Sequence, residues 1–352
     1  MLDLASLPEP IVQAPLAGGP STPELAVAVC EAGGLGFLAA GYRTADAGRD
    51  EIETVRASTS EPFGVNVFVP APPAADSSEV SAYRERLASE AERQGAELGQ
   101  PGADDDDWER KLELLGEARP AVASFTFGCP DRSVIEALQW NEIAVWITVT
   151  NPDEAVQARH AGADAIVVQG VEAGGHRGGF RDDPEESDLG LLALLRVVAS
   201  QVPLPLIASG GIADGAAVAA VLCAGAAAAQ IGTALMLAPE AGTPEAHREQ
   251  LRKSAPTRLT RAFTGRTARG IVNRFMVEHG EGAPAGYPEI HHVTSPLRAA
   301  ARRRGDADAI NLWAGQAHEL AQELPAGEIV RRLGAEARAV LAEVGRRLDP
   351  GR

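Results

Sequence analysis

The chain has 352 residues, 45% of them hydrophobic, which is enough for one large barrel domain with an appendage or for two ordinary domains. Its 49 acidic and 32 basic residues give a net charge of −17, which argues against a nucleic-acid or anionic-membrane partner. The N-terminus lacks a basic segment followed by an apolar one, and no apolar run reaches the roughly 18 residues of a membrane span. We therefore expect a cytoplasmic protein with no signal peptide and no membrane-spanning segment.

Short apolar runs alternate with helix signals over residues 1–240. The helix signals include capping residues, such as Ser21 or Thr22 before Pro23, and Asp214. Eight strand–helix units in succession predict an α/β fold, a (β/α)8 TIM barrel, rather than an open sheet. The predicted strands are Ile11–Ala14, Leu35–Ala40, Phe63–Val69, Ala121–Phe125, Ala144–Val149, Ala165–Val168, Leu204–Ser209 and Ala227–Ile231.

An insertion over residues 71–119 is predicted after the third strand. It begins with a Pro/Ala-rich segment, which is followed by a strongly charged helix at Glu79–Leu98 and a further helix at Trp108–Glu117. The acidic run Asp104–Asp107 lacks the alternation and the glycine of a calcium loop. It is interpreted as the solvated flank of the second helix.

The alternation is lost beyond residue 240. Residues 241–352 contain a basic, polar segment at Thr260–Phe275 and amphipathic helix patterns at Ala299–Arg304 and Glu319–Leu348, with breaks at Gly305, Pro325 and Gly327. We expect a mainly helical C-terminal region that packs on the barrel and closes part of the substrate site.

The stretch Ala165–Gly179 carries the strongest functional signal. A Gly-rich segment follows the sixth predicted strand and contains His176, with glycines on both sides. Glycines allow a ligand to approach the main chain, and a histidine just past a strand's carboxyl end suits acid–base chemistry near neutral pH. The alternative is a flexible surface loop whose histidine has no function.

Three amide side chains lie near predicted strand ends. Asn66, Gln169 and Gln230 should converge with His176 on one mouth of the barrel, because the carboxyl ends of all eight strands meet there. Amides match the donors and acceptors of a heterocycle better than a metal ion. Asn66 lies inside its strand, so it either faces a ligand or is satisfied by neighbouring backbone groups.

Two glycine pairs follow the seventh and eighth predicted strands, where phosphate groups often bind in such barrels. Gly210-Gly211 come after Ser209, and Gly232 precedes Thr233. Both segments offer backbone N–H groups to a phosphate, and the second adds a hydroxyl. No Walker lysine and no first-strand G-x-G-x-x-G is present, so the phosphate would be held passively, as in a flavin or a sugar phosphate. The alternative is that these glycines are plain turn residues.

The remaining histidines give weaker signals. His160, His247 and His318 lie on predicted helices and are expected to face solvent. The pair His291-His292 either contributes to a lid or has a structural role.

The three cysteines are too scattered for a disulfide framework or a zinc site, and they are interpreted as buried free thiols. No G-x-S-x-G, H-E-x-x-H or C-x-x-C motif occurs, which disfavours serine-hydrolase and zinc chemistry. We expect no metal site.

A set of motifs extends over nearly the whole chain. They are APLAGG at Ala14–Gly19, GLGFLAAGY at Gly34–Tyr42, GVNVF at Gly64–Phe68, SFTFGCP at Ser124–Pro130, VVQGVEAGGHRGG at Val167–Gly179, ASGGIADG at Ala208–Gly215, QIGTA at Gln230–Ala234, FTGRTARGIVNRF at Phe263–Phe275, NLWAGQ at Asn311–Gln316 and LPAGEIV at Leu324–Val330. With these motifs the chain resembles the nitronate monooxygenase family, which are flavin mononucleotide (FMN) enzymes on a TIM barrel. EAGGH and SGGIADG are shared with flavin-dependent enoyl-ACP reductases, whereas GRTARG and NLWAGQ favour the nitronate enzymes.

The resemblance implies an FMN site at the barrel mouth. His176 matches the histidine that abstracts the α-proton of nitroalkanes in part of the family, and with a nitronate it would bind the nitro oxygens instead. The implied FMN contacts are Ala14, Gly18, Asn66, Gln169, Gly174, Gly175, Gly210, Gly211, Gln230, Ile231, Gly232 and Thr233.

One position departs from the family pattern. The class resembled here usually has Phe-His-Phe-Gly, whereas this chain has threonine at the second position, Thr126. A threonine cannot act as a base or carry charge. Thr126 is expected to line the substrate site with His176.

The resemblance predicts FMN-dependent oxidative denitrification of alkyl nitronates such as propionate 3-nitronate, with oxygen as second substrate and nitrite as product. One alternative is an NAD(P)H-dependent flavin reductase of enoyl-thioesters or quinones. Another is a flavin-binding barrel without catalysis. The expected partners are a small nitronate or nitroalkane and oxygen, and a homodimer is one arrangement that the chain could adopt.

Overall fold

The structure of the chain is a computed structural model that describes residues 2–70, 77–183 and 188–348. The Pro/Ala-rich start of the predicted insertion, residues 71–76, lies outside the described residues. None of the described helices is both long and apolar enough to cross a bilayer.

Eight parallel strands form a closed barrel, which confirms the predicted TIM barrel. The order around the barrel is β1-β9-β8-β6-β5-β4-β3-β2, and a bridge between Val12 and Leu35 closes it between β1 and β2. The predicted strand ends agree with the observed ones to within two residues. The described strands are β1 (Ile11–Gln13), β2 (Gly36–Ala39), β3 (Phe63–Phe68), β4 (Val122–Thr126), β5 (Ala144–Val149), β6 (Ala165–Gln169), β7 (Gly175–His176), β8 (Leu206–Ser209), β9 (Ala228–Ile231), β10 (Thr257–Thr260) and β11 (Ala268–Ile271).

Alternating side chains build two separate cores. On β5, Val145 and Ile147 point outward into the layer between strands and helices, whereas Trp146 points into the barrel. Inside, the rings of Trp146 and Phe37 lie 5.7 Å apart, so the interior is packed rather than hollow. The substrate site must therefore lie above this packed interior, at a mouth of the barrel.

The helices begin where the capping signals predict. The Thr22 hydroxyl accepts from the Leu25 N–H at 3.1 Å, and the Asp214 carboxylate accepts from the Ala217 N–H at 2.8 Å. The described α-helices are α1 (Pro23–Glu31), α2 (Ala45–Ser58), α3 (Ser77–Arg86), α4 (Ala88–Gln94), α5 (Trp108–Ala118), α6 (Arg132–Trp140), α7 (Pro152–Ala161), α8 (Leu191–Gln201), α9 (Gly215–Cys223), α10 (Glu245–Leu251), α11 (Arg274–His279), α12 (Glu289–Arg304) and α13 (Ala326–Leu348).

The insertion differs from the prediction in two respects. The single helix at Glu79–Leu98 is wrong: α3 and α4 are separated at Leu87, whose side chain is buried in a cluster with residues of α12, such as Val293. The acidic run is only partly a solvated flank. Asp106 and Asp107 turn back and accept hydrogen bonds from the N–H groups of residues 42 and 45, which follow β2.

The C-terminal region contains helices α10 to α13 and, together with β7, a small antiparallel sheet in the order β10-β11-β7. The basic, polar segment Thr260–Phe275 includes β11 of this sheet. Helix α13 packs against α9 and α1 on the outside of the barrel. The break predicted at Gly327 is wrong, because this glycine lies in the first turn of α13.

Gly116 on α5 offers a test of helix stability. A Cβ added there would have no atom within 4 Å. We expect Gly116→Ala to raise the free energy of unfolding by about 0.5–1 kcal/mol, because alanine loses less conformational entropy in a helix. Urea unfolding measures this change. Gly215→Ala is the matched control in α9: its Cβ would lie 2.2 Å from the Cβ of Glu336, so it should destabilise. A loss of stability in G116A would contradict the argument.

Candidate active site

A cavity of about 420 Å³ lies at the carboxyl ends of the barrel strands. The C-terminal region covers its other side through residues such as Trp313 and Arg298. All of the sequence-predicted site residues line this cavity except Ile231. The side chain of Ile231 is fully buried in the outer core, and its carbonyl accepts from the Ala14 N–H at 2.8 Å.

His176 is held on a strand and not on a flexible loop, so the surface-loop alternative is wrong. In β7 it pairs with Ala268 of β11, and its neighbour Gly175 pairs with Arg269. The side-chain amide of Gln169 donates to the His176 carbonyl at 3.1 Å and accepts from the Gly178 N–H at 2.8 Å. The end of β6 and the C-terminal sheet together fix the position of the histidine.

Among the described residues, the imidazole of His176 has one hydrogen-bond partner. Its Nε2 lies 2.9 Å from the Thr264 hydroxyl, which donates in turn to the Arg266 carbonyl at 3.2 Å. When the hydroxyl proton is directed to that carbonyl, the hydroxyl accepts from the imidazole and Nε2 carries the ring proton. Nδ1 is then the nitrogen that can accept a proton from a ligand.

The His176 ring is surrounded by aromatic rings and cations. Its centroid lies 5.6–6.0 Å from the rings of Phe127, Trp313 and Tyr287. Burial, and then the positive charges of Arg266 and Arg298, lower the pKa of His176 to about 3. The imidazole is therefore neutral throughout the ordinary pH range and is available as a proton acceptor.

Asn66 on β3 is both satisfied by neighbours and directed to the cavity. Its Nδ2 donates to Ser124 Oγ at 2.9 Å and to Thr126 Oγ1 at 3.0 Å. Its Oδ1 has no hydrogen-bond partner among the described residues, and Gln230 at the end of β9 forms no side-chain hydrogen bond with them either. The two amides can therefore serve the polar edge of a planar ligand.

The glycine turns after β8 and β9 have the features of a phosphate site. Gly210 and Gly211 both adopt positive φ, at 121° and 67°, which a side chain would disfavour. The Thr233 hydroxyl accepts from the Gly315 N–H at 3.0 Å, so its own proton remains available to donate. These groups match a phosphate monoester.

Gly174 holds the histidine segment against the C-terminal region. A Cβ at this position would lie 2.5 Å from the backbone of Ala314 and Gly315. Only glycine permits that approach, which joins the EAGGH segment to the NLWAGQ segment.

Two histidines predicted to face solvent are buried in the cavity wall. His247 is 5% exposed and His318 is 1% exposed, because the C-terminal region folds over the mouth. His291 also lines the cavity and stacks on Tyr42 with ring centroids 4.3 Å apart. His160 is exposed, as predicted.

One wall of the cavity was not predicted from the sequence, apart from His291, which was expected either in a lid or in a structural role. Four residues of α12 line it, and their spacing of four, three and four residues places them on one helical face. That spacing is a signal that could have found them. They are His291, Ser295, Arg298 and Arg302.

Among the described residues, one cluster of three side chains has the spacing of metal ligands: Glu90, Glu278 and His279. Arg93 and Arg274 each bind both of its carboxylates, at 2.7–3.1 Å. This cluster is thus an ion-pair network. The cysteines are free, but they are not all buried: Cys30 is buried, whereas Cys223 is exposed.

A family model and the similar proteins of known sequence agree on one family for this chain. The family model described as nitronate monooxygenase matches residues 2–336. A nitronate monooxygenase from Pseudomonas aeruginosa is 42% identical over an alignment of 352 positions, which covers 95% of this chain and 98% of that protein. A nitronate monooxygenase from Paraburkholderia phytofirmans is 41% identical over 353 residues, which cover 96% and 94%.

Two solved structures are also similar. The crystal structure of a nitroalkane oxidase from Streptomyces ansochromogenes has a TM-score of 0.95 and 51% identity, and it covers 97% of this chain and 99% of that one. The structure of FabK from Thermotoga maritima has a TM-score of 0.76 and 26% identity, and it covers 97% and 96%.

Proposed function

This chain belongs to the nitronate monooxygenase family of flavin-dependent oxidoreductases, and we propose that it uses FMN to oxidise alkyl nitronates of the propionate 3-nitronate class. Oxygen is the second substrate, and nitrite is released. The observation that carries the proposal is that His176 lines the same cavity as the glycine turns at Gly210–Gly211 and Gly232–Thr233. A cytoplasmic location and a homodimer belong to the same proposal.

The cavity residues fit FMN. The backbone at Gly210, Gly211 and Gly232, with the Thr233 hydroxyl, would hold the phosphate. The amides of Asn66 and Gln230 would meet the heterocycle, which needs both donors and acceptors. When bound, FMN would supply the redox chemistry, which is the transfer of electrons from a carbanion-like substrate to oxygen.

His176 has two roles that depend on the substrate. With a neutral nitroalkane, its unprotonated Nδ1 accepts the α-proton, while Nε2 stays bonded to Thr264. A nitronate has already lost that proton, so His176 then only binds and orients it. The aromatic rings of Phe127, Tyr287 and Trp313 exclude water from the imidazole.

Thr126 stands where the family class that this chain resembles usually has a second histidine beside His176. Its hydroxyl accepts from Asn66 and lies 3.4 Å from the Thr148 hydroxyl, so it continues a polar network below the cavity. It supplies no charge and no base. Proton abstraction is therefore assigned to His176, which lies outside that network and is bonded to Thr264.

The test uses the purified full chain. We expect a yellow flavin spectrum, release of FMN on heating, loss of the oxidised absorbance when propionate 3-nitronate is added anaerobically, and nitrite once oxygen is admitted. Bleaching by NADPH but not by the nitronate would favour the reductase alternative. Bound FMN with no turnover of either class would favour the non-catalytic one, and a folded, colourless protein that takes up no added FMN would overturn the proposal.

Thr233→Val tests the phosphate site. We expect it to weaken FMN binding about tenfold, because one hydrogen bond to a charged group is lost. Binding of riboflavin, which has no phosphate, should change little. Flavin fluorescence quenching with both ligands measures the difference. Equal losses for FMN and riboflavin would mean that Thr233 acts through its bond to Gly315 and not on the phosphate.

A further inference from the structure

The cavity is positively charged, although the chain as a whole carries a charge of −17. None of the described side chains that line it is a carboxylate. The basic side chains that line it are those of His176, His247, His291, His318, Arg298 and Arg302. A cavity without acidic groups in an acidic protein is suited to anions.

Arg298 is the buried cation of this wall. It is 4% exposed, whereas Arg302, one turn further along α12, is exposed at the rim. Its Nε donates to Thr294 Oγ1 at 3.1 Å, and its Nη2 donates to the His291 carbonyl at 2.9 Å. These bonds tie the guanidinium to its own helix and fix its orientation.

Arg298 has no acidic partner among the described residues. It forms no ion pair with them, and its Nη1 forms no hydrogen bond with them. Burial and the neighbouring Arg302 lower the pKa of Arg298 to about 10, which still leaves it charged at neutral pH. Burying an unpaired charge is costly, so an anion from outside the chain would stabilise this site.

The glycine turns at Gly210–Gly211 and Gly232–Thr233 lie on a different part of the barrel mouth from Arg298. They follow β8 and β9, whereas Arg298 is bonded to His291, whose ring stacks on that of Tyr42 after β2 with centroids 4.3 Å apart. The anion that pairs with Arg298 is therefore separate from a phosphate bound at Gly210–Gly211. The Tyr287 ring lies 6.2 Å from the ring of His291, to which Arg298 is bonded, and 6.0 Å from the ring of His176, so one small molecule in the cavity can contact both Arg298 and His176.

We propose that Arg298 binds a carboxylate at the far end of the substrate, so that this chain selects nitronates with a second anionic group over simple alkyl nitronates. The inference rests on the proposed function and names its specificity-determining residue. The planar guanidinium offers the two N–H groups of Nη1 to the carboxylate. Ser295, one turn earlier on the same face, adds a hydroxyl.

The first test compares two substrates of equal length, propionate 3-nitronate and propyl-1-nitronate. In Arg298→Met we expect kcat/KM for the carboxylate-bearing nitronate to fall about a hundredfold. For propyl-1-nitronate it should stay within about threefold. Arg298→Lys should recover part of the loss, because it restores the charge but not the planar donor pair.

Arg303→Met is the matched control, since it removes one exposed charge from the same helix outside the cavity. It should leave both substrates unchanged. Equal losses for the two nitronates in R298M would overturn the proposal, because they would mean that Arg298 binds the nitronate group itself. Unchanged values for both would overturn it as well.

The second test needs no turnover. Succinate carries two anionic ends, and butyrate carries one, so calorimetric binding of both to the flavin-loaded chain isolates the second site. We expect R298M to raise the succinate Kd about tenfold or more and the butyrate Kd much less. Arg298-dependent succinate binding in a protein that oxidises no nitronate would overturn the proposed function but not the anion site. Succinate binding that does not depend on Arg298 would overturn the site.

Discussion

Replacing His176 by asparagine is expected to leave the flavin bound and to lower kcat/KM for neutral nitroethane by about 10²–10⁴. Asparagine fits the space of the imidazole and is uncharged, but it has no group that accepts a proton, and its amide is too short to replace His176 Nε2 in the 2.9 Å bond to Thr264. The preformed nitronate of nitroethane requires no proton removal. Its oxidation should therefore fall much less, by about tenfold or less.

The measurement compares kcat/KM for neutral nitroethane with kcat/KM for its nitronate. Oxygen uptake is followed with nitroethane kept neutral and with ethylnitronate prepared in base and added to the assay. His160→Asn is the matched control, because this histidine is exposed on α7. Unchanged turnover of nitroethane by H176N would remove His176 from proton abstraction. Equal losses with both forms would assign it to binding alone.

The barrel was predictable because its signals are local. Each strand is a short apolar run bounded by turn residues, and Thr22 and Asp214 cap the helices that the sequence assigns to them. Parallel strands then determine that Asn66, Gln169 and Gln230 share a mouth, because the carboxyl ends of all the barrel strands lie at the same end of the barrel.

What the sequence reading missed depends on long-range contacts. The two-residue strand β7 exists only because it pairs with β11, about 90 positions later in the chain, and two residues carry no periodicity. Asp106 looked like a solvated charge, but it bonds the N–H of Tyr42, 64 positions earlier. The burial of His247 likewise follows from the way in which the C-terminal region covers the mouth.

We expect the free energy of unfolding to fall as the pH is lowered, because several histidines are buried in their neutral form. Burial is the main cause that lowers the pKa of His247 to about 4, and the pKa values of His176 and His291 are lowered in the same direction. An unfolded histidine has a pKa of about 6.5. Between about pH 6.5 and pH 4 the unfolded chain therefore binds more protons than the folded one, and stability falls as the pH falls.

His247 isolates one part of this effect, since it is 5% exposed and its Nε2 has no partner among the described residues. Because His247 is buried in its neutral form, the free energy of unfolding of the wild type should fall by about 2 kcal/mol from this residue when the pH is lowered from about 7 to about 4.5. His247→Gln removes the titrating group, so the free energy of unfolding of the variant should fall by about 2 kcal/mol less than that of the wild type over the same pH interval. Urea unfolding of the flavin-loaded chain at both pH values measures it, and His160→Gln should follow the wild type. An acid loss in H247Q equal to that of the wild type would mean that His247 already carries its proton in the folded cavity, where its positive charge would add to those of Arg298 and Arg302.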